Sequence, residues 1–340
     1  MKKSSIIILA ILIALAGVSI YIYKTKGKTS TIDKEASDFK YKDTASIDKI
    51  FLADKDGKQL LVEKKAGAWV LDGKFNVRPD VIDLLLYTIR SVEVKSPVSK
   101  LSRATVIKTM AAKSTKIEVY SKGQKVKQYF VGHPTQDHTG TFMILTNLET
   151  GENYEEPFIT HIPGFDGFLT TRYNTSEIDW RDRLLINYRP PQIKQIKLDL
   201  HEIPDSSFVL DLFSMQRFGL KTKKGSMPFE EDKMKQYIAY FQNVNCEIVL
   251  DKKNHFVDSL TKSGIPFATL TITDRNNATN VCEFYHKHTN ATTKEEYNID
   301  YKYDPDQLYV RYNNGKDFGV AQFYVFGKIL QTYEYFLPRK

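Results

Sequence analysis

PDVIDLLLYTIRSVEV, residues 79–94, and EDKMKQYIAYFQNVNC, residues 231–246, are the two stretches on which the fold turns. Set one above the other, Ile82, Leu85, Leu86, Ile89, Val92 and Val94 fall on Met234, Tyr237, Ile238, Phe241, Val244 and Cys246 at one constant offset. The first four positions of each set follow i, i+3, i+4, i+7, the period of a helix with one apolar stripe. Six matched positions exceed what shared composition supplies, so the pair reads as a tandem duplication.

The correspondence extends outward. Ile50 and Leu52 match Ile196 and Leu198, and the strand around Trp69 and Leu71 matches Phe218 and Leu220. Downstream, Ile117 and Val119 match Leu270 and Ile272, and residues 142–144 parallel 308–310. Period-two alternation at Ile50, Leu52, Leu61 and Glu63 flanks Lys55-Asp56-Gly57, whose Asp-Gly suits a tight hairpin, so each unit should hold an antiparallel sheet. Pro79 and Asp80 suit a helix start, and Pro228 followed by Glu230, Glu231 and Asp232 repeats the signal. A second, shorter helix is expected over 104–112 and again over 255–262, the latter ended by Gly264 and Pro266. On the strands, Lys116, Glu118, Thr269 and Thr271 should point away from the helices, and Gln307, Tyr309 and Arg311 should share a face opposite Leu308 and Val310.

The expected fold class is α+β: two tandem related subdomains, each an antiparallel sheet with helices on one face, after an N-terminal transmembrane helix. The expected divisions are an anchor over 1–24, a polar stalk over 25–43, a first repeat over 44–169, a connector over 170–192 and a second repeat over 193–340. In the connector, Arg189-Pro190-Pro191 blocks helix continuation, and Trp180 with its Arg and Asp neighbours suits a fixed joint.

Residues 6–23 carry no charge and follow Met1-Lys2-Lys3. A helix of roughly 18 to 20 apolar residues just spans a hydrocarbon core, with Tyr21, Tyr23 and Lys24 suited to its interface. Ala14, Ala16 and Gly17 imitate a signal-peptide cleavage site, but the apolar run continues past them through Tyr23, which favours an uncleaved anchor. Val18 and Ser19 stand where a lipoprotein needs cysteine. The short basic head should stay inside, placing the following domain outside the cytoplasmic membrane, in a bacterial periplasm.

Of the 49 basic residues five lie in the first thirty positions, which hold no acid; the remaining 44 face 41 acidic ones. The chain beyond the leash is nearly balanced and lacks a Lys/Arg stripe, so nucleic acid is not an expected partner. Cys246 and Cys282 are expected to act as half-buried hydrophobes, a disulfide being the alternative.

Ser46-Ile47-Asp48-Lys49-Ile50, the Trp69 strand, Arg78-Pro79-Asp80, Gly132-His133-Pro134-Thr135 leading to Thr139-Gly140-Thr141, and Trp180-Arg181-Asp182-Arg183 together resemble the bacterial family known as domain of unknown function 4340. The resemblance covers nearly everything after the stalk. It implies a membrane-anchored or exported envelope protein, in some members encoded near transporter components linked to gliding, and it carries over no reaction.

Three features bear on chemistry. The loop 133–140 gathers Thr135, Asp137, His138 and Thr139, enough on paper for a nucleophile, a base and an orienting acid, yet such residues beside Gly and Pro more often close a turn on its own backbone. Cys282, His286 and His288 share a strand face, but a zinc site needs more ligands than they supply. Twenty Tyr and twenty Phe invite a guess at glycan stacking, although strands accept aromatics readily. No phosphate loop, serine elbow, CxxC pair or HExxH occurs. The candidate binding residues are therefore Thr135, Asp137, His138, Thr139, Trp180 and Arg181, with no catalytic residue, metal or cofactor assigned. The expected function is an extracytoplasmic interaction module tethered by its N-terminal helix and partnered by an envelope protein or transporter subunit. The alternative is a glycan-binding sensor or a polysaccharide-processing hydrolase.

Overall fold

Alternating apolar positions become two antiparallel sheets. The structure, a computed structural model, describes residues 15–18, 20, 34–251, 257, 259–260, 264–289, 294–295 and 301–338. They fall into two compact units, Met1–Ser176 and Glu177–Lys340. Among the described residues no helix is long and apolar enough to cross a membrane. The expected span over 1–24 lies outside them, except for 15–18 and 20, which are helical.

The first unit runs β1 (Ile47–Ala53), β2 (Gln59–Lys65), β3 (Ala68–Leu71), β4 (Phe75–Asn76), α1 (Pro79–Ser91), β5 (Glu93–Pro97), α2 (Lys100–Ala112), β6 (Thr115–Ser121), β7 (Gln124–Pro134), β8 (Thr141–Leu145) and β9 (Phe158–His161). All pairings are antiparallel, in the order β4-β3-β2-β1-β6-β7-β8-β9-β5. Ile50, Leu52, Ile117, Val119, Tyr129, Val131 and Met143 are at most 1% exposed. α1 lies over this face, with Pro79 in its first turn and Ile82, Leu85 and Ile89 buried. A single-turn helix, Thr170–Tyr173, joins helix to sheet: Arg172 reaches Thr88 Oγ1 at 3.0 Å and Tyr173 stands edge-on to Tyr129.

Three expectations for this unit are corrected. α2 starts at Lys100 rather than Ala104, because Ser99 Oγ accepts from Ser102 N at 3.2 Å and caps the helix. It also lies on the sheet face opposite α1, so the helices do not share one face. Val106 and Met110 pack with Phe130, Phe142, Ile144 and Ile159, which alternate with the residues that meet α1. β7 and β8 are apolar on both sides, and each side needs cover. Finally, the expected stalk is not free after Lys34. Phe39 is buried edge-on to Tyr129 and Phe158 at 6.2 and 6.1 Å, Lys127 Nζ donates to Asp38 Oδ2 at 2.8 Å, and Lys40 pairs with Glu93 at 2.7 Å.

The second unit runs α3 (Glu177–Trp180), β10 (Leu184–Ile186), β11 (Ile193–Leu200), β12 (Phe208–Ser214), β13 (Arg217–Thr222), β14 (Gly225–Met227), α4 (Glu231–Ala239), β15 (Val244–Asn245), β16 (Ile248–Leu250), β17 (Ala268–Asp274), β18 (Thr279–His288), β19 (Tyr303–Tyr312), β20 (Asp317–Gln322) and α5 (Phe323–Phe326). Its large sheet has the order β14-β13-β12-β11-β17-β18-β19-β20-β16, and β10 pairs with β15 beside it. Met234, Tyr237 and Ile238 of α4, with Phe241 just past its end, join Ile196, Leu198, Leu210 and Leu270 of the strands in one core cluster. The second-helix expectation over 255–262 falls largely outside the described residues.

Replacing β1–β4 by β11–β14, β5 by β16 and β6–β9 by β17–β20 turns one strand order into the other. The register agrees at finer grain. Ile50 faces Val119 as Ile196 faces Ile272, and a bulge falls between Ile47 and Lys49 as it does between Ile193 and Gln195. One expected match is corrected. Ile117 faces Tyr129 as Leu270 faces Cys282, so Val131 corresponds to Phe284, and their partners Met143 and Val310 correspond. Matching 142–144 to 308–310 is thus one residue out of register, a slip that exchanges faces.

Candidate functional site

The β7–β8 loop carries the densest candidate group, and its backbone explains the geometry. Thr135 N donates to Gly140 O and His138 N to Thr135 O, both at 2.9 Å. His138 takes a left-handed φ of 57° to close the turn. Asp137 sits at the centre. Its carboxylate accepts from Thr135 Oγ1 at 2.5 Å, Thr139 Oγ1 at 2.7 Å and Thr139 N at 3.2 Å. These hydrogen bonds, the Thr135 hydroxyl's first, hold its pKa well below the usual carboxylate range. Lys95 Nζ donates to Thr139 Oγ1 at 2.8 Å from β5.

Thr135, Asp137 and Thr139 therefore lie together, their side chains bonded to one another within the turn and, through Thr139, to Lys95 on β5. The His138 ring instead lies against Phe168, with centroids 5.6 Å apart. His133 rests on Phe142 at 4.8 Å; its Nδ1 is buried without a partner and burial lowers its pKa. A groove of about 560 Å³ opens at the other end of the same hairpin, bordered by Lys34, Asp38, Lys127, Asn147 and Tyr154.

Of the expected connector, residues 170–176 belong to the first unit and 177–192 to the second. Trp180 is fully buried in the second unit. Arg181 is buried beside it and pairs with Asp317 at 2.7 Å, whose other oxygen accepts from Asn313 at 2.9 Å. These groups complete one another.

Cys246 and Cys282 are free and buried, and burial raises their thiols to about 11 and about 12. His286 stacks between Phe267 and Tyr303 at 4.4 and 4.1 Å, with its Nε2 2.9 Å from Glu202 Oε1. Among the described residues no group of three His, Cys, Asp or Glu is placed to hold a metal.

One arrangement was not anticipated. Arg172 stacks on Phe165 at 4.3 Å and reaches Thr88 on α1, beside exposed Leu84 and Tyr87. The available sequence signal was Thr88 itself, a polar residue on a stripe otherwise made by Ile82, Leu85 and Ile89. Compared with protein-family models, curated proteins and solved structures, the chain matches none.

Proposed function

We propose that this chain is a membrane-tethered extracytoplasmic module of the bacterial cell envelope, that it works by holding a protein partner such as a transporter subunit, and that its two sheets descend from one duplicated α+β unit. The observation that carries binding over catalysis is the state of Asp137. A general base needs a proton affinity near the working pH, and three donors inside the turn remove it from this carboxylate. The duplication draws support from the shared strand order and from bulges at corresponding positions. The tether draws support from the uncharged run 6–23, and the envelope setting from the family resemblance.

Photo-crosslinking of the full-length protein in native membranes should capture an envelope protein, undiminished by Asp137→Ala combined with His138→Ala. If that double variant abolishes release of reducing ends from cell-wall glycan at an unchanged melting temperature, the loop is catalytic and the binding reading fails.

A further inference from the structure

Two contacts fix the Arg172 guanidinium, and among the described residues no ion pair completes them. It lies 4.3 Å from the Phe165 ring centroid, and its Nη1 donates to Thr88 Oγ1 at 3.0 Å. Thr88 is fully buried and donates its own hydroxyl proton to Leu84 O at 2.7 Å, which turns its lone pairs toward Arg172. Burial pulls the Arg172 pKa down, and the ionisable groups acting on it are the phenols of Tyr173 and Tyr87. Arg78, Arg103, Arg181 and Arg311 each have a carboxylate within 4 Å; among the described residues Arg172 has none. A half-buried charge without a counter-charge is unfavourable until one is supplied, and the guanidinium fork has further N–H groups to offer.

Its surroundings narrow what would supply that charge. Leu84 and Tyr87 on α1 are each 44% exposed and Phe165 is 37% exposed. Arg90 lies over the Tyr87 ring at 6.0 Å, and it too lacks an acidic partner among the described residues. Aromatic side chains around a partly desolvated arginine are the composition of protein-binding hot spots.

We infer that Arg172, Leu84, Tyr87 and Phe165 form a docking surface for a protein segment that presents a carboxylate beside an apolar side chain. The charge selects the occupant: the guanidinium fork takes a carboxylate in two parallel hydrogen bonds, while Leu84 and Tyr87 gain only if an apolar group covers them. A small inorganic anion would leave both side chains in water. Thr88 is the positioning residue, since it holds the fork at the surface. The inference rests on the protein-binding reading above and names the chemistry of that partner.

The test uses the full-length protein in nanodiscs and an array of short peptides in which Asp or Glu neighbours Leu or Phe, each matched by its Asn or Gln counterpart. Fluorescence anisotropy reads binding. Acidic peptides should bind about tenfold or more tighter than their amides, the loss expected when one member of a desolvated charge pair is removed. Arg172→Gln should bring acidic peptides to the level of the amides, and Arg172→Lys should restore part of the difference. Leu84→Ser, at an exposed position, should weaken both sets and leave melting unchanged. Equal binding of acids and amides, or displacement by inorganic phosphate alone, overturns the inference. Should Arg172→Gln fail to fold, the acid–amide comparison on the unmodified protein and Leu84→Ser decide it. If membrane crosslinking captures an envelope protein that Arg172→Gln still retains, this surface is wrong and the broader reading stands.

Discussion

Glu118 is 8% exposed on β6, in the middle of the face that the sequence marked as turned away from the core. Burial alone would raise its pKa. Hydrogen bonds from Lys116 at 2.6 Å, Tyr120 at 2.7 Å and Lys125 at 3.0 Å outweigh that and bring it from 4.5 to about 2. Because the folded value lies below the unfolded one, ionised Glu118 stabilises the fold above about pH 4.5, and the contribution is lost as pH falls toward 2. The melting-temperature gap between the native protein and Glu118→Gln should thus be fully open at neutral pH and close as pH falls through that window. A gap that stays constant with pH would mean the charge contributes nothing. Alternation showed which way Glu118 points, but not its burial: Lys116 and Tyr120 flank it on β6, and Lys125 reaches it only when β6 and β7 fold back on each other. The same limit hid Arg172, whose partner Thr88 is 84 residues away.

The helix stripes were legible because α1 and α4 each bury one side, and such burial writes a 3.6-residue period into the chain. Which face α2 would cover was not legible. Phe130 stands between Tyr129 and Val131, and Met143 between Phe142 and Ile144, so alternation of apolar with polar is lost where it was needed. The structure resolves the choice at Gly132. A Cβ there would come within 2.8 Å of Met110 Cγ on α2 and 3.1 Å of Phe142 O, so the helix approaches as closely as it does because the side chain is missing. Gly132→Ala should destabilise the protein by about 1–3 kcal/mol through overpacking. Met110→Ala should cost about 2–5 kcal/mol through the cavity it opens. Since the cavity would accept the added methyl, chemical denaturation of the double variant should show a loss smaller than the sum. Strict additivity would place the α2 approach somewhere else.

At the scale of the whole chain, a repeated hydrophobic offset carried the paired strand order, because each unit must bury the matching positions of its own sheet to fold at all. The segment after the apolar run was misread for the converse reason. Its polar composition suggested a stalk, yet one residue, Phe39, fills the first core, and the Asp38–Lys127 and Lys40–Glu93 pairs fasten the chain on either side of it. If residues 6–23 lie in a bilayer, the free tether is no more than residues 24–33, ten positions whose fully extended reach is about 35 Å. The first unit is then held beside the membrane rather than offered at a distance, which suits a partner that is itself a membrane protein. Lys34 is exposed, so Lys34→Cys can carry a donor fluorophore, and Cys246 and Cys282, with thiols raised to about 11 and about 12, stay unreactive at neutral pH. In vesicles containing an acceptor-labelled lipid, energy transfer from position 34 should be strong, and a long Gly-Ser insertion after Ser30 should weaken it progressively with length. Vesicle association with transfer indifferent to the insertion would show that the unit is held to the membrane by something other than its tether, and absence of association would remove the anchor itself.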